Sequence, residues 1–194
     1  MPINLCASHS PPQVRRRGVP ARLADNGTMP ATTPTTHDTF TLTRRFEASP
    51  EAVWQLWADE QLWRRWARMP GSGASYEHDF RVGGGDLSRS VFSQPDGRTE
   101  HLENRAVYFH LEPPHRLVYA YESIVAELPR WASLVTVTLA PAAMTDADAT
   151  PATDLTWTEQ VAFITPTGDG SDDLPHLRGG SQLRFNAMGL ALAG

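Results

Sequence analysis

Lysine is missing altogether from this 194-residue chain: all 17 basic residues are arginine. Such a skew reflects codon usage in a GC-rich genome, not a binding surface. The 22 acidic residues leave a net charge of −5 with no long run of either sign. Phosphate recognition needs a basic face, so nucleic acid is not the expected partner. Cysteine is nearly absent. Cys6 alone cannot close an internal disulfide and leaves the folded part without a thiol nucleophile, so a reducing cytoplasm is the expected location. No apolar run approaches the ~18 residues of a membrane span, which removes the membrane as an expected partner. Compact metal-ligand spacings are lacking as well: His78, Asp79, His101, His110 and His115 are scattered over strands and turns and read as surface or strand-face residues. Gly83-Gly84-Gly85 has neither the dinucleotide spacing nor the Lys-Ser/Thr ending of a phosphate loop, and no Ser-His-Asp arrangement is legible. Neither a metal nor a cofactor is expected.

What the chain does have is strand alternation. Residues 1–37 stand apart as a Pro-, Ser-, Thr- and Arg-rich leader without apolar periodicity, which cannot offset its ordering entropy; Met29 is an alternative start. From 38 to 194 one domain follows. Phe40, Leu42 and Phe46 alternate with polar residues as a half-buried strand. Ser49-Pro50-Glu51 then reads as an N-cap, a first-turn proline and an early acid, opening a helix through Val53, Trp54, Leu56 and Trp57. A second short helix is expected over Glu60–Met69, stopped by Pro70-Gly71. Strands follow over Tyr76–Val82, Leu87–Phe92, Glu100–Glu112, Leu117–Glu122, Ser133–Leu139 and Leu155–Phe163. Ala140–Thr153 is the expected flexible loop.

At the end, Leu177, Ser181, Phe185, Met188 and Leu192 recur at steps of three and four, one face of a helix. Gly179, Gly180 and Gly189 each cost it about 1 kcal/mol relative to Ala, so its stability must come from packing. Seven strands in near-sequential hairpins, two helices after the first strand and one at the end predict an α+β fold: a curved antiparallel sheet closing around the last helix.

The order of several short stretches carries a resemblance: Phe40 to Trp54, Leu62 to Trp66, Asp79-Phe-Arg-Val-Gly-Gly84, Asp96-Gly97, Glu112-Pro-Pro-His-Arg-Leu-Val118, Val135 to Leu139 and Thr158 to Phe163. In this order they resemble the START-like (SRPBCC) superfamily, and within it the group related to the C-terminal domain of the heat-shock-protein-90 ATPase activator. The resemblance spans the region from about 40 to 194. It implies a helix-grip fold with a cavity under the long helix. Three functions come with it: binding of a small hydrophobic or aromatic ligand, polyketide-cyclase- or hydratase-like catalysis in the same cavity, or a protein–protein module with a chaperone partner. A homodimer through an edge strand or a helix face is also open. Two departures from the group's pattern, Ala67 and Gly179-Gly180 where relatives often carry tryptophan, imply extra space near one end of the cavity.

Glu159 is the candidate for site chemistry. Leu155, Trp157, Glu159, Val161 and Phe163 share one face of their strand. A carboxylate on an apolar face needs a partner or a proton. It serves either as a structural ion pair with Arg89 or Arg81, as a ligand anchor, or as a general acid paired with Arg89 or a tyrosine. The expected ligand contacts are Trp66, Arg89, Tyr119, Tyr121, Trp157, Glu159, Phe185 and Met188. Tyr119 and Tyr121 share the inward face of their strand, and Trp66 borders the cavity opening implied by the resemblance.

Overall fold

The computed structural model describes residues 34–143 and 151–194. Most of the expected leader, with Met29, and the middle of the expected flexible loop lie outside the described residues. The first strand, β1 (Thr36–Phe46), begins two residues inside the expected leader, where Thr36 is paired with Phe163. Helices α1 (Pro50–Ala58) and α2 (Glu60–Trp66) follow, then β2 (Ser72–His78), β3 (Asp86–Ser93), β4 (Thr99–Glu112), β5 (Arg116–Val125), β6 (Leu128–Pro141), β7 (Thr153–Phe163) and α3 (Asp173–Leu192). The seven strands form one antiparallel sheet in the order β1-β7-β6-β5-β4-β3-β2. This is the expected helix-grip α+β architecture.

Local chemistry accounts for the element ends. The Ser49 side chain accepts the Ala52 N–H at 3.3 Å, and Asp59 accepts the N–H groups of Gln61 and Leu62 at 2.8 and 3.0 Å, so α1 and α2 each start on a side-chain cap. α2 ends at Trp66, three residues before the expected Met69, because the Met69 N–H turns to the Tyr76 hydroxyl at 2.9 Å. β2 ends at His78 rather than Val82. Beyond it Arg81 pairs with Asp79, and the chain turns back through Gly83 at φ +79°. A Cβ on Gly85 would lie 1.9 Å from the Ala106 carbonyl oxygen, so only glycine permits this close approach to β4.

The concave face of the sheet is apolar by strict alternation: Leu117, Tyr119 and Tyr121 from β5, Val135, Val137 and Leu139 from β6, Leu155, Trp157 and Val161 from β7. Leu177, Ser181, Phe185, Met188 and Ala191 of α3 face it. Leu192, expected on that stripe, is only partly buried, and Ala191 takes its place.

Gly179 and Gly180 keep their cost because nothing fills the space beside them. A Cβ at either position would meet nothing within 4 Å. Gly179→Ala and Gly180→Ala are each expected to stabilise the fold by about 1 kcal/mol, read as a rise of roughly 2–4 °C in melting temperature. A fall for either would mean that α3 is bent there, not merely weakened.

Candidate functional site

Between α2, α3 and the concave face lies an open cavity of about 1040 Å³. Its walls are largely aromatic: Trp57, Trp63 and Trp66 from the short helices, Tyr108 from β4, Tyr119 and Tyr121 from β5 and Trp157 from β7. Edge-on contacts join these rings to one another and to Phe80. Trp57 meets Trp66 at 5.4 Å, Phe80 meets Tyr108 at 5.0 Å, and Tyr119 meets Trp157 at 6.0 Å. Ala67, Gly179 and Gly180, where larger residues were expected in relatives, all line the cavity. A Cβ added at Gly179 or Gly180 would meet nothing within 4 Å, so their small size leaves space along that wall.

Of the expected contact residues, Trp66, Tyr119, Tyr121 and Trp157 line this space, whereas Phe185 and Met188 are packed behind it in the core. Arg89 is a correction. It lies on the convex face of β3, where its guanidinium bonds Glu103 at 2.6 Å and approaches Glu77 at 3.7 Å. It reaches neither the cavity nor Glu159. Arg81, the other expected partner of Glu159, is held by Asp79 at 2.9 Å.

Glu159 itself is fully buried, with 0% exposure, opposite Phe40 on β1 and Val135 on β6. Its partners are uncharged donors: the Tyr121 hydroxyl donates to Oε1 at 2.7 Å and Trp157 Nε1–H donates to Oε2 at 2.9 Å. Trp131 Nε1–H in turn donates to the Tyr121 oxygen at 3.2 Å. The nearby positive charge is Arg184 of α3, whose guanidinium lies 5.5 Å from the centre of the Tyr121 ring. Burial pushes the Tyr121 hydroxyl up to about 12, against the opposing pull of Arg184 and with the added push of Glu159. Tyr121 is therefore a neutral donor, wedged between a buried carboxylate and a guanidinium. Both Glu159 oxygens already accept a hydrogen bond, and Glu159 is not among the residues that line the cavity.

A second polar cluster sits at the other end of the aromatic row. His78 is enclosed between Trp63, stacked at 4.6 Å, and Phe80 at 6.0 Å. Its Nδ1 lies 2.6 Å from Asp86 Oδ1 and its Nε2 lies 2.8 Å from the Trp57 carbonyl, while the Tyr108 hydroxyl donates to Asp86 Oδ2 at 2.5 Å. Both ring nitrogens face oxygens, the Asp86 carboxylate and the Trp57 carbonyl, an arrangement that favours a proton on each and hence the imidazolium. Burial lowers its pKa. The hydrogen bond and charge of Asp86, the Trp57 carbonyl and the charge of Glu60 outweigh that, and the net shift is upward. Asp86 also lines the cavity. Among the described residues no three His, Cys, Asp or Glu side chains are grouped to hold a metal ion, and no helix is long and apolar enough to cross a membrane.

A sheet gripping a C-terminal helix around an aromatic cavity defines a START-like, helix-grip protein. The chain belongs to the family described as activator of Hsp90 ATPase homolog 1-like protein, whose model matches residues 47–160. Among solved structures it is similar to the Mll3558 protein of Rhizobium loti, with 34% identity over 82% of this chain and 99% of that one and a TM-score of 0.67. It is also similar to an uncharacterized Rhizobium leguminosarum protein, with 26% identity over 82% of this chain and 97% of that one and a TM-score of 0.64. An Arthrobacter aurescens protein at 20% identity, covering 80% of this chain and 86% of that one with a TM-score of 0.57, shares the fold. No curated protein matches the chain.

Proposed function

We propose that this domain binds a small, mostly hydrophobic molecule in the cavity between the sheet and α3. The observation that carries the reading is the cavity itself: about 1040 Å³, lined by eight aromatic side chains with polar groups such as Asn104, Ser123, Gln182 and Arg184 set among them. Ligand sites of this kind span roughly 300–1,000 Å³ and combine apolar walls with sparse polar anchors. A polyketide-cyclase- or hydratase-like reaction would need an acid–base group facing the ligand. Glu159 does not line the cavity and has both oxygens engaged, and Asp86 is held by His78 and Tyr108. A protein–protein module would sooner have a filled core.

The test fills the space from its own wall. Gly180 lines the cavity, and a Cβ there meets nothing within 4 Å. Gly180→Trp is expected to fold and to lose binding of apolar and aromatic compounds that raise the melting temperature of the wild type. A ligand at 100 times its dissociation constant stabilises by about 2.7 kcal/mol, a rise of several degrees that the variant should not show. Equal responses from the two proteins would place binding elsewhere and end this reading.

A further inference from the structure

The charges around the cavity do not match the charge of the chain. The protein is acidic overall, at −5, yet the charged groups lining the cavity are Arg68, Arg105 and Arg184 against Asp86, with His176 at the edge. Asp86 is occupied by His78. Arg105 turns outward to Glu103 and Glu122. Among the described residues no carboxylate lies within 4 Å of the guanidinium of either Arg68 or Arg184.

Arg184 is the better placed of the two. Arg68 is exposed, whereas Arg184 is half-buried on α3, one turn beyond Gly180 on the same side of the helix. Its guanidinium acts on both tyrosines of β5: its charge opposes the upward shift that burial imposes on Tyr119 and Tyr121. Its own positive state is held in place. Burial works against it, yet its pKa is shifted upward overall, with Glu159 as the contributing carboxylate while both tyrosines stay neutral. The nearest compensating carboxylate, Glu159, is one hydrogen bond removed, behind the Tyr121 hydroxyl. A guanidinium carries five N–H donors in a planar fork, and a half-buried one with no direct anion is complementary to a carboxylate accepting two of them.

We infer that the ligand is an amphipathic organic acid, whose carboxylate is held by Arg184 and whose apolar body lies among Trp66, Tyr108, Tyr119 and Trp157. The inference rests on the ligand-binding reading above and deepens it. Arg68, at the mouth, contributes long-range attraction for the anion rather than a fixed contact. A single anionic head suits the site, because Arg184 is the half-buried cation there without a carboxylate partner among the described residues.

The experiment compares two fluorescent probes with one body and different heads, pyrenebutyrate and pyrenebutanol, titrated into the full chain. The variants are Arg184→Met, Arg184→Lys and Gly180→Trp. The wild type is expected to bind pyrenebutyrate roughly tenfold or more tighter than pyrenebutanol, the size of one charged hydrogen bond. Arg184→Met should erase that advantage while leaving pyrenebutanol affinity within about twofold, which also reports that the cavity is intact. Arg184→Lys should recover part of it, since the charge remains and the fork is lost. If both probes bind the wild type equally and Arg184→Met changes neither, the carboxylate assignment is overturned while the cavity reading stands. If neither probe binds, or Gly180→Trp binds both as the wild type does, the cavity reading falls and the inference with it.

Discussion

Replacing Glu159 by leucine is expected to lower the melting temperature by roughly 10 °C, even though leucine looks the more natural residue for a fully buried site. Removing one side of a buried polar network costs about 3–5 kcal/mol, and each kcal/mol is worth about 2–4 °C in a domain of this size. The reason is what remains behind. The Tyr121 hydroxyl and Trp157 Nε1–H both lose their acceptor, and the half-buried Arg184 loses the carboxylate nearest to it. Each orphaned donor alone costs about 1–3 kcal/mol. Glu159→Gln should cost less than leucine, because one amide oxygen still accepts from one of the two donors. Adding Tyr121→Phe to Glu159→Leu should recover little, since the orphaned hydroxyl disappears but Trp131 Nε1–H loses its acceptor in turn. Thermal melts of the four proteins decide the matter. A Glu159→Leu variant as stable as the wild type would show that the network contributes nothing to the fold.

The strands were legible because their inner faces alternate without interruption, and β7 shows how far that reading goes. Period two alone places Glu159 beside Trp157 and Val161, inside. It does not say what satisfies it. Arginine is the obvious guess, and Arg89 the wrong one, because the pairing of β3 with β4 sets Arg89 opposite Glu103 on the convex face. Of the actual donors, a tyrosine was among the expected partners of Glu159, whereas Trp157 was expected only as a ligand contact. Arg184 had a signal that went unused. Steps of three and four from Leu177 run through Ser181 and 184 to Met188, so an arginine on the buried side of α3 was there to be read. His78 was similar: it falls between Tyr76 and Phe80 on the alternating face, but histidine is polar enough to pass for a strand-face residue. Asp86 carried no pattern at all. It opens β3 after a glycine turn, and only the closure of that turn brings it to His78 across eight residues. Phe80 left the sheet because Gly83 and Gly85 reverse the chain, yet it packs against Trp54 at 5.5 Å and keeps its place in the core. Burial was readable there even where the element was not.

The His78–Asp86 pair makes stability depend on pH in a direction that can be worked out. The folded pKa of His78 lies above the unfolded value of about 6.5. Its contribution is therefore fully present below about pH 6.5 and is lost as pH rises through the folded value. On deprotonation only one ring nitrogen keeps a proton, so either Asp86 or the Trp57 carbonyl is left facing a lone pair. Tyr108 still holds the other Asp86 oxygen, and the stack on Trp63, favourable to a cation, weakens. Asp86→Asn is expected to cost about 3 kcal/mol near pH 6, because it strands an imidazolium with 4% side-chain exposure beside an amide that cannot accept from both His78 and Tyr108 without misplacing its NH2 group. By about pH 9 the gap should narrow, as the wild type loses its charged pair and the variant has none to lose. Urea titrations of both proteins across that range measure the gap directly. A wild type whose stability does not fall between about pH 6.5 and 9, or a gap that stays constant, would mean that the folded pair holds no extra proton and that His78 is neutral in the fold.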